Sequence, residues 1–166
     1  MCSSSSMTTH TATQQLGFIK EESSEIVEKL NGILANYQLH YQKLRNFHWN
    51  VKGPDFFDIH EQFEIEYNDV KLEIDEIAER IRIFNAQPLS NLSDYLAKSN
   101  ITEAPASTPA SKMVPIILED FGILTSFLVD GIECANENGD IGTADMLTKY
   151  LKRIEKRHWM FTSFSS

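Results

Sequence analysis

Apolar residues along 23–50 fall at Val27, Leu30, Leu34, Tyr37, Tyr41 and Leu44, with steps of 3, 4, 3, 4 and 3, which is one face of a helix. Ser23 or Ser24 is placed to cap it, and Gly53-Pro54 breaks the chain beyond it. A second segment over about 57–86 carries Phe63, Tyr67, Val70, Ile74, Ile77, Ile81 and Phe84 in steps of 4, 3, 4, 3, 4 and 3. That is a heptad seam of the kind bundle helices use, and Pro88 closes it. Residues 88–110 hold Pro88, Pro105 and Pro109 with Ser and Asn between, and only Leu92, Tyr95 and Leu96 predict a short helix there. A third long helix is predicted over about 111–137 through Val114, Ile117, Phe121, Leu124, Leu128, Ile132 and Ala135, with Pro115 in its first turn, where a missing N–H costs little. After the loop Asn136–Gly142, Thr143 is the expected cap of a fourth helix carrying Met146, Leu147, Tyr150, Leu151, Ile154, Trp159 and Phe161.

Four long amphipathic segments with one long crossover in the middle predict an all-α four-helix bundle of ferritin-like connectivity, with a short extra helix in the crossover between helices two and three. No alternating pattern predicts a strand. At 166 residues and 42% hydrophobic content the chain buries one core without staples, and its two cysteines, Cys2 and Cys134, are too few for a disulfide framework. No apolar run approaches the roughly 18 residues that span a bilayer. Fifteen Lys and Arg against 24 Asp and Glu leave a net charge of −9, which excludes coating nucleic acid by bulk charge and suits cations as partners. Residues 1–15, MCSSSSMTTHTATQQ, are Ser/Thr-rich and lack the apolar core of a secretory signal. They read as a disordered tail on a bundle domain over 16–166, with the cytoplasm as the default compartment.

The candidate chemistry lies on the first two helices. His48 ends the first, His60 opens the second, and a hairpin through Gly53-Pro54 brings the imidazoles together. Glu64, Asp75 and Glu79 project at about 40°, 60° and 100° from His60 on the helical wheel, so they line a strip flanking the apolar seam. Distance then separates them. His60 and Asp75 lie 15 residues apart, about 22 Å along a helix, and Glu79 is about 28 Å away. One ion with ligands at about 2 Å cannot use both ends of the same helix. Either the carboxylates are an ordinary solvated face, or a second copy supplies the far half. A two-fold axis crossing the second helix near Asp69 would set His60 against Asp75 and Glu79 of the neighbour in an isologous contact. Such mixed N/O ligation suits Fe(II), Mn(II) or Zn(II).

The runs HWNVKGPDFFDIHEQFE (48–64) and IDEIAERIRIFNAQP (74–88) resemble the two signatures of the Dps mini-ferritins: a His, a Trp and a Gly at fixed offsets, then His, a carboxylate and D-x-x-x-E. The resemblance implies hollow dodecamers that oxidise Fe(II), characteristically with hydrogen peroxide and otherwise with dioxygen, and store ferric mineral against oxidative damage. It implies a ferroxidase site between two-fold-related subunits, with His48 and His60 from one subunit, Glu64 close by, and Asp75 and Glu79 from the partner; Mn or Zn compete for the same ligands. Trp49 matches an aromatic beside that site that intercepts radicals, with packing as its alternative role. Glu64 departs from the pattern, since Asp is commoner there, and its longer arm can ligate more directly. Acidic pores of the family match Asp140 and Asp145 best, with Glu137 nearby; Asp145 also suits a helix N-terminus on its own account. Larger ferritin-like enzymes use two E-x-x-H motifs inside each bundle. Only Glu155–His158 fits that motif here, so both are read as surface residues. Family members that bind DNA use Lys/Arg-rich tails, whereas this chain has no cation before Lys20 and none in FTSFSS. No appreciable direct DNA binding is expected at neutral pH, leaving only bridging by divalent ions. The competing readings are a DNA-compacting nucleoid protein, a di-metal oxidase with its site inside one bundle, and a non-catalytic bundle.

Overall fold

The amphipathic segments are helices in the computed structural model, which describes residues 16–18 and 20–166; the tail expected over 1–15 lies outside the described residues. In chain order they are α1 (Lys20–Asn50), α2 (Phe56–Ile83), the short α3 (Leu92–Lys98), α4 (Ala110–Glu137) and α5 (Ile141–Phe164), with no strand among the described residues. Leu30, Leu34, Tyr37 and Leu44 of α1 are buried together with Phe63, Val70, Ile77 and Ile81 of α2. Ile117, Phe121, Leu124 and Leu128 of α4 and Leu147, Tyr150 and Ile154 of α5 complete the core. Tyr41, Tyr67, Ile74, Ile132 and Met146 pack at its rim. One expected core residue lies outside. Arg157 takes the seam position between Ile154 and Phe161, and Trp159, about 200° around the helix from Phe161, is 65% exposed.

Several helix ends differ from the sequence expectation, each for a local reason. α1 begins at Lys20, so Ser23 lies inside it and neither Ser23 nor Ser24 is its cap. α2 stops at Ile83, well before Pro88. Asn85 adopts φ 59°, its N–H bonds Arg82 O at 2.9 Å, and Ala86 N–H bonds Ile81 O at 3.4 Å. This is a Schellman stop with Asn in the left-handed position usually held by Gly. α4 begins at Ala110, which puts Pro115 in the second turn. The Ser111 carbonyl thereby loses its i+4 donor, and both residues border a surface cleft where water can serve it. α5 is capped by Asp140, whose Oδ1 accepts the Thr143 N–H at 3.0 Å, so Thr143 is the third helical residue and not the cap.

The crossover runs back along α1, held by three asparagines of that helix. Asn31 Oδ1 accepts the Leu89 N–H at 2.9 Å. Asn36 Oδ1 accepts the N–H groups of Asn100 at 2.9 Å and Ile101 at 3.0 Å. Asn46 Nδ2 donates to Ala104 O at 2.8 Å. Side chains of α1 thus satisfy backbone groups that no regular structure would pair, and α3 docks through the buried Tyr95.

Candidate metal centre

The turn between α1 and α2 is sharp because Gly53 sits at φ +121°, a conformation that a side chain would strain. It folds His48, near the end of α1, over His60, in the second turn of α2. The imidazoles stack with centroids 3.7 Å apart and planes 17° from parallel. Each then locks the other. His48 Nδ1 donates to the His60 carbonyl and His60 Nδ1 donates to the His48 carbonyl, both at 2.7 Å. A carbonyl only accepts, so both protons are held on Nδ1 and both Nε2 atoms keep a lone pair. The His48 carbonyl is among the last four of α1, which lack intrahelical donors, so His60 also satisfies an otherwise orphaned group.

Glu64 lies one turn beyond His60 on the same face of α2. The ligand atoms of His48, His60 and Glu64 all lie within 4.8 Å of one another. Two imidazoles and one carboxylate, with the remaining positions open, form a donor set suited to Fe(II). His48 is buried, His60 half-buried and Glu64 exposed, so the ring pair is fixed while the carboxylate can move. Two rings that the ligand pattern in the sequence does not single out complete the surroundings. Phe56 stacks on the outer face of His60 at 4.8 Å, and Tyr67 meets His48 edge-on at 5.3 Å. Phe56 is visible in sequence one turn before His60, and Tyr67 was absorbed into the apolar seam. Burial, followed by the Glu64 carboxylate beside it, pushes the Tyr67 phenol above its ordinary pKa.

Asp75 and Glu79 are exposed on the same helix and do not join this cluster. Trp49 is 57% exposed, with the Arg45 guanidinium 4.9 Å from its ring centroid. The pore candidates part company. Asp145 is exposed, but Asp140 is 2% exposed and bonds both the Thr143 N–H and the Arg80 guanidinium at 2.7 Å. Its carboxylate caps α5 and ties it to α2, a structural duty that takes it off the free surface expected for a pore lining.

The bundle interior holds charges that the seam pattern hid. Glu66 and Glu73, one heptad apart on α2, face Arg153 and Arg157 of α5. Arg153 bonds Glu66 at 2.7 Å and Glu73 at 2.5 Å, and Arg157 Nε bonds Glu66 at 2.8 Å. Burial pushes the Glu73 carboxyl above its ordinary pKa despite the two bonds from Arg153. Burial also works against the Arg153 cation, but the paired carboxylates outweigh it and keep the guanidinium charged. Between α1 and α4, Asp120 receives Lys43 at 2.7 Å and His40 Nδ1 at 3.0 Å. Guanidinium groups therefore occupy the space where an intra-bundle di-metal site would need open carboxylates. The repeated Glu66/Glu73 spacing opposite the Arg153/Arg157 pair was the available sequence signal. Glu155 and His158 are exposed. No described helix is long and apolar enough to cross a membrane.

Residues 27–165 match the Ferritin-like domain family. The DNA protection during starvation protein 2 of Bacillus anthracis is 39% identical over 140 residues, covering 84% of this chain and 96% of that protein. General stress protein 20U of Bacillus subtilis is 37% identical over 142 residues, covering 86% and 98%. The crystal structure of the Dps protein from Vibrio cholerae O1, described as a member of a broad superfamily of ferritin-like diiron-carboxylate proteins, superposes with a TM-score of 0.90 at 35% identity, covering 96% of this chain and all of that one. With the fold, the full-length match and the paired histidines agreeing, the chain belongs to the Dps family of ferritin-like proteins.

Proposed function

We propose that this protein oxidises Fe(II), preferentially with hydrogen peroxide, at ferroxidase sites shared between two-fold-related subunits, and stores the ferric product as mineral inside a hollow dodecamer. The observation that carries the reading is the reciprocal lock of His48 and His60 through Nδ1, which leaves Nε2 of each neutral ring free, in a cluster whose third member is Glu64. Asp75 and Glu79 complete the site from the partner. Further support comes from the exposed face of α2, where Ile65 and Leu72 are 41% and 65% exposed. Their midpoint falls between Asn68 and Asp69. An antiparallel copy about that point brings Ile65 onto Leu72 of the partner subunit and His60 between its Asp75 and Glu79.

Two Fe(II) ions each give one electron to one peroxide, and two protons complete two waters, so no hydroxyl radical is released. The carboxylates favour the harder Fe(III), which moves on to mineral, while Mn(II) or Zn(II) compete at the same donors. Peroxide preference, with dioxygen as the alternative oxidant, and twelve subunits are carried over from the family. Asp145 remains the acidic candidate at an entry pore. Direct DNA binding is not part of the proposal, because the net charge of −9 repels phosphate and the residues before Lys20 offer no Lys or Arg to hold it.

Subunit mixing tests the shared site. Subunits carrying His48→Ala and His60→Ala are inactive alone, as are subunits carrying Asp75→Ala and Glu79→Ala. In a mixed dimer one of the two sites draws all its ligands from intact halves. Random assembly of an equal mixture therefore restores about a quarter of wild-type sites. A mixture that stays inactive, or either variant oxidising Fe(II) at the wild-type rate, overturns the reading.

A further inference from the structure

A file of oxidisable rings leads away from the imidazole pair. Tyr67 stands edge-on to His48 at 5.3 Å, and Tyr41 stands edge-on to Tyr67 at 6.0 Å. The Arg45 guanidinium lies over Tyr41 at 5.1 Å and over Trp49 at 4.9 Å. The three rings are therefore not equivalent as electron donors. Removing an electron from a ring creates positive charge, which a cation over the ring face opposes and a nearby anion favours. Tyr41 and Trp49 both carry Arg45. Arg45 acts on Tyr67 as well, but more weakly than the Glu64 carboxylate beside the Tyr67 hydroxyl, and the Tyr67 ring meets that of His48, a metal-ligand candidate.

From this arrangement we infer that Tyr67 is the electron donor that replaces the second iron when a site holds a single Fe(II), a role resting on the ferroxidase reading above. With one Fe(II), peroxide would receive one electron from the metal and split into hydroxide and hydroxyl radical. Tyr67 supplies the missing electron. Fe(II), the Tyr67 phenol, H2O2 and one solvent proton give Fe(III), a neutral tyrosyl radical and two waters; the phenolic proton ends in product water. A later Fe(II) and one proton return the radical to phenol and yield a second Fe(III). The sum equals the two-iron reaction, so the protein tolerates half-filled sites without releasing a diffusible radical. Trp49, the exposed ring under Arg45, is not the first donor. The Glu64 arm that departs from the family pattern biases the radical toward Tyr67.

The test is to load the assembled protein with one Fe(II) per site, add peroxide, freeze, and record the electron paramagnetic resonance spectrum. A tyrosyl signal is expected, narrowed by growth on ring-deuterated tyrosine and unchanged by ring-deuterated tryptophan. Tyr67→Phe keeps the ring packing, loses the signal, and raises hydroxyl-radical spin-trap adducts several-fold, whereas Trp49→Phe and Tyr41→Phe retain it. A signal that survives Tyr67→Phe but vanishes in Trp49→Phe overturns the inference, as does wild-type protein yielding no tyrosyl signal. Wild-type protein given two Fe(II) per site separates the two claims. If it fails to oxidise them, the ferroxidase reading has failed; if it oxidises them and the one-iron sample shows no tyrosyl radical, only the Tyr67 assignment has.

Discussion

Leu72→Asp separates a shared site from one that a lone subunit owns, without touching any ligand. Leu72 is 65% exposed on α2 and Ile65 is 41% exposed. Fully burying a Leu side chain is worth roughly 1.5–3 kcal/mol, so covering what remains of Leu72 contributes about 1–2 kcal/mol per copy, and an isologous contact counts it twice. Substituting Asp removes that term and sets a carboxylate at each Ile65 of the opposing helix, where it must be desolvated without a partner. The combined penalty is at least about 3 kcal/mol, roughly a hundredfold in the dimer dissociation constant. Because Leu72 faces outward in the isolated subunit, helix content measured by circular dichroism should stay at the wild-type value. Light scattering across a concentration series should show the dimer weakening, and stopped-flow Fe(II) oxidation should fall in step with it. Monomeric Leu72→Asp oxidising Fe(II) at the full rate per subunit would refute the shared site. Unweakened association would refute the antiparallel contact about Asn68 and Asp69.

Asp140→Ala removes the α5 cap and the bond to Arg80, a loss of about 2–4 kcal/mol in urea unfolding; undiminished stability with slowed iron uptake would make Asp140 a pore residue instead. Asn85→Ala puts a residue that tolerates the left-handed region less well than Asn at φ 59° and should cost about 1 kcal/mol, whereas Asn85→Gly stays near wild type in thermal melts. Glu73 has a folded pKa raised above 4.5, so its contribution is fullest below the unfolded value and is lost as pH rises through the folded one. The stability difference between wild type and Glu73→Gln, followed by urea unfolding, should therefore decline from acid toward neutral pH, and a difference that grows over that range contradicts the sign.

The periodicity of Leu30, Leu34 and Tyr37, of Phe63, Val70 and Ile77, and of the two later helices was enough to specify a four-helix bundle, because a 3–4 repeat can bury its apolar face in few ways. The short helix at Leu92–Lys98 and the pairing of His48 with His60 were likewise legible, since a hairpin turn brings near neighbours in sequence together. Polar positions were harder. Glu66, Glu73 and Arg157 look like solvated charges until α2 and α5 face each other, because whether a charge is buried depends on a partner 80 or more residues away. Asp140 and Thr143 are both cap-forming residue types, and the fold selects Asp140, which accepts the Thr143 N–H and the Arg80 guanidinium. The tautomers of His48 and His60 also depend on tertiary contact, since each is set by a carbonyl across the turn. Sequence spacing supplied the candidate ligand types and the distance between them along one helix; the folded chain brings His48, His60 and Glu64 together and leaves Asp75 and Glu79 apart.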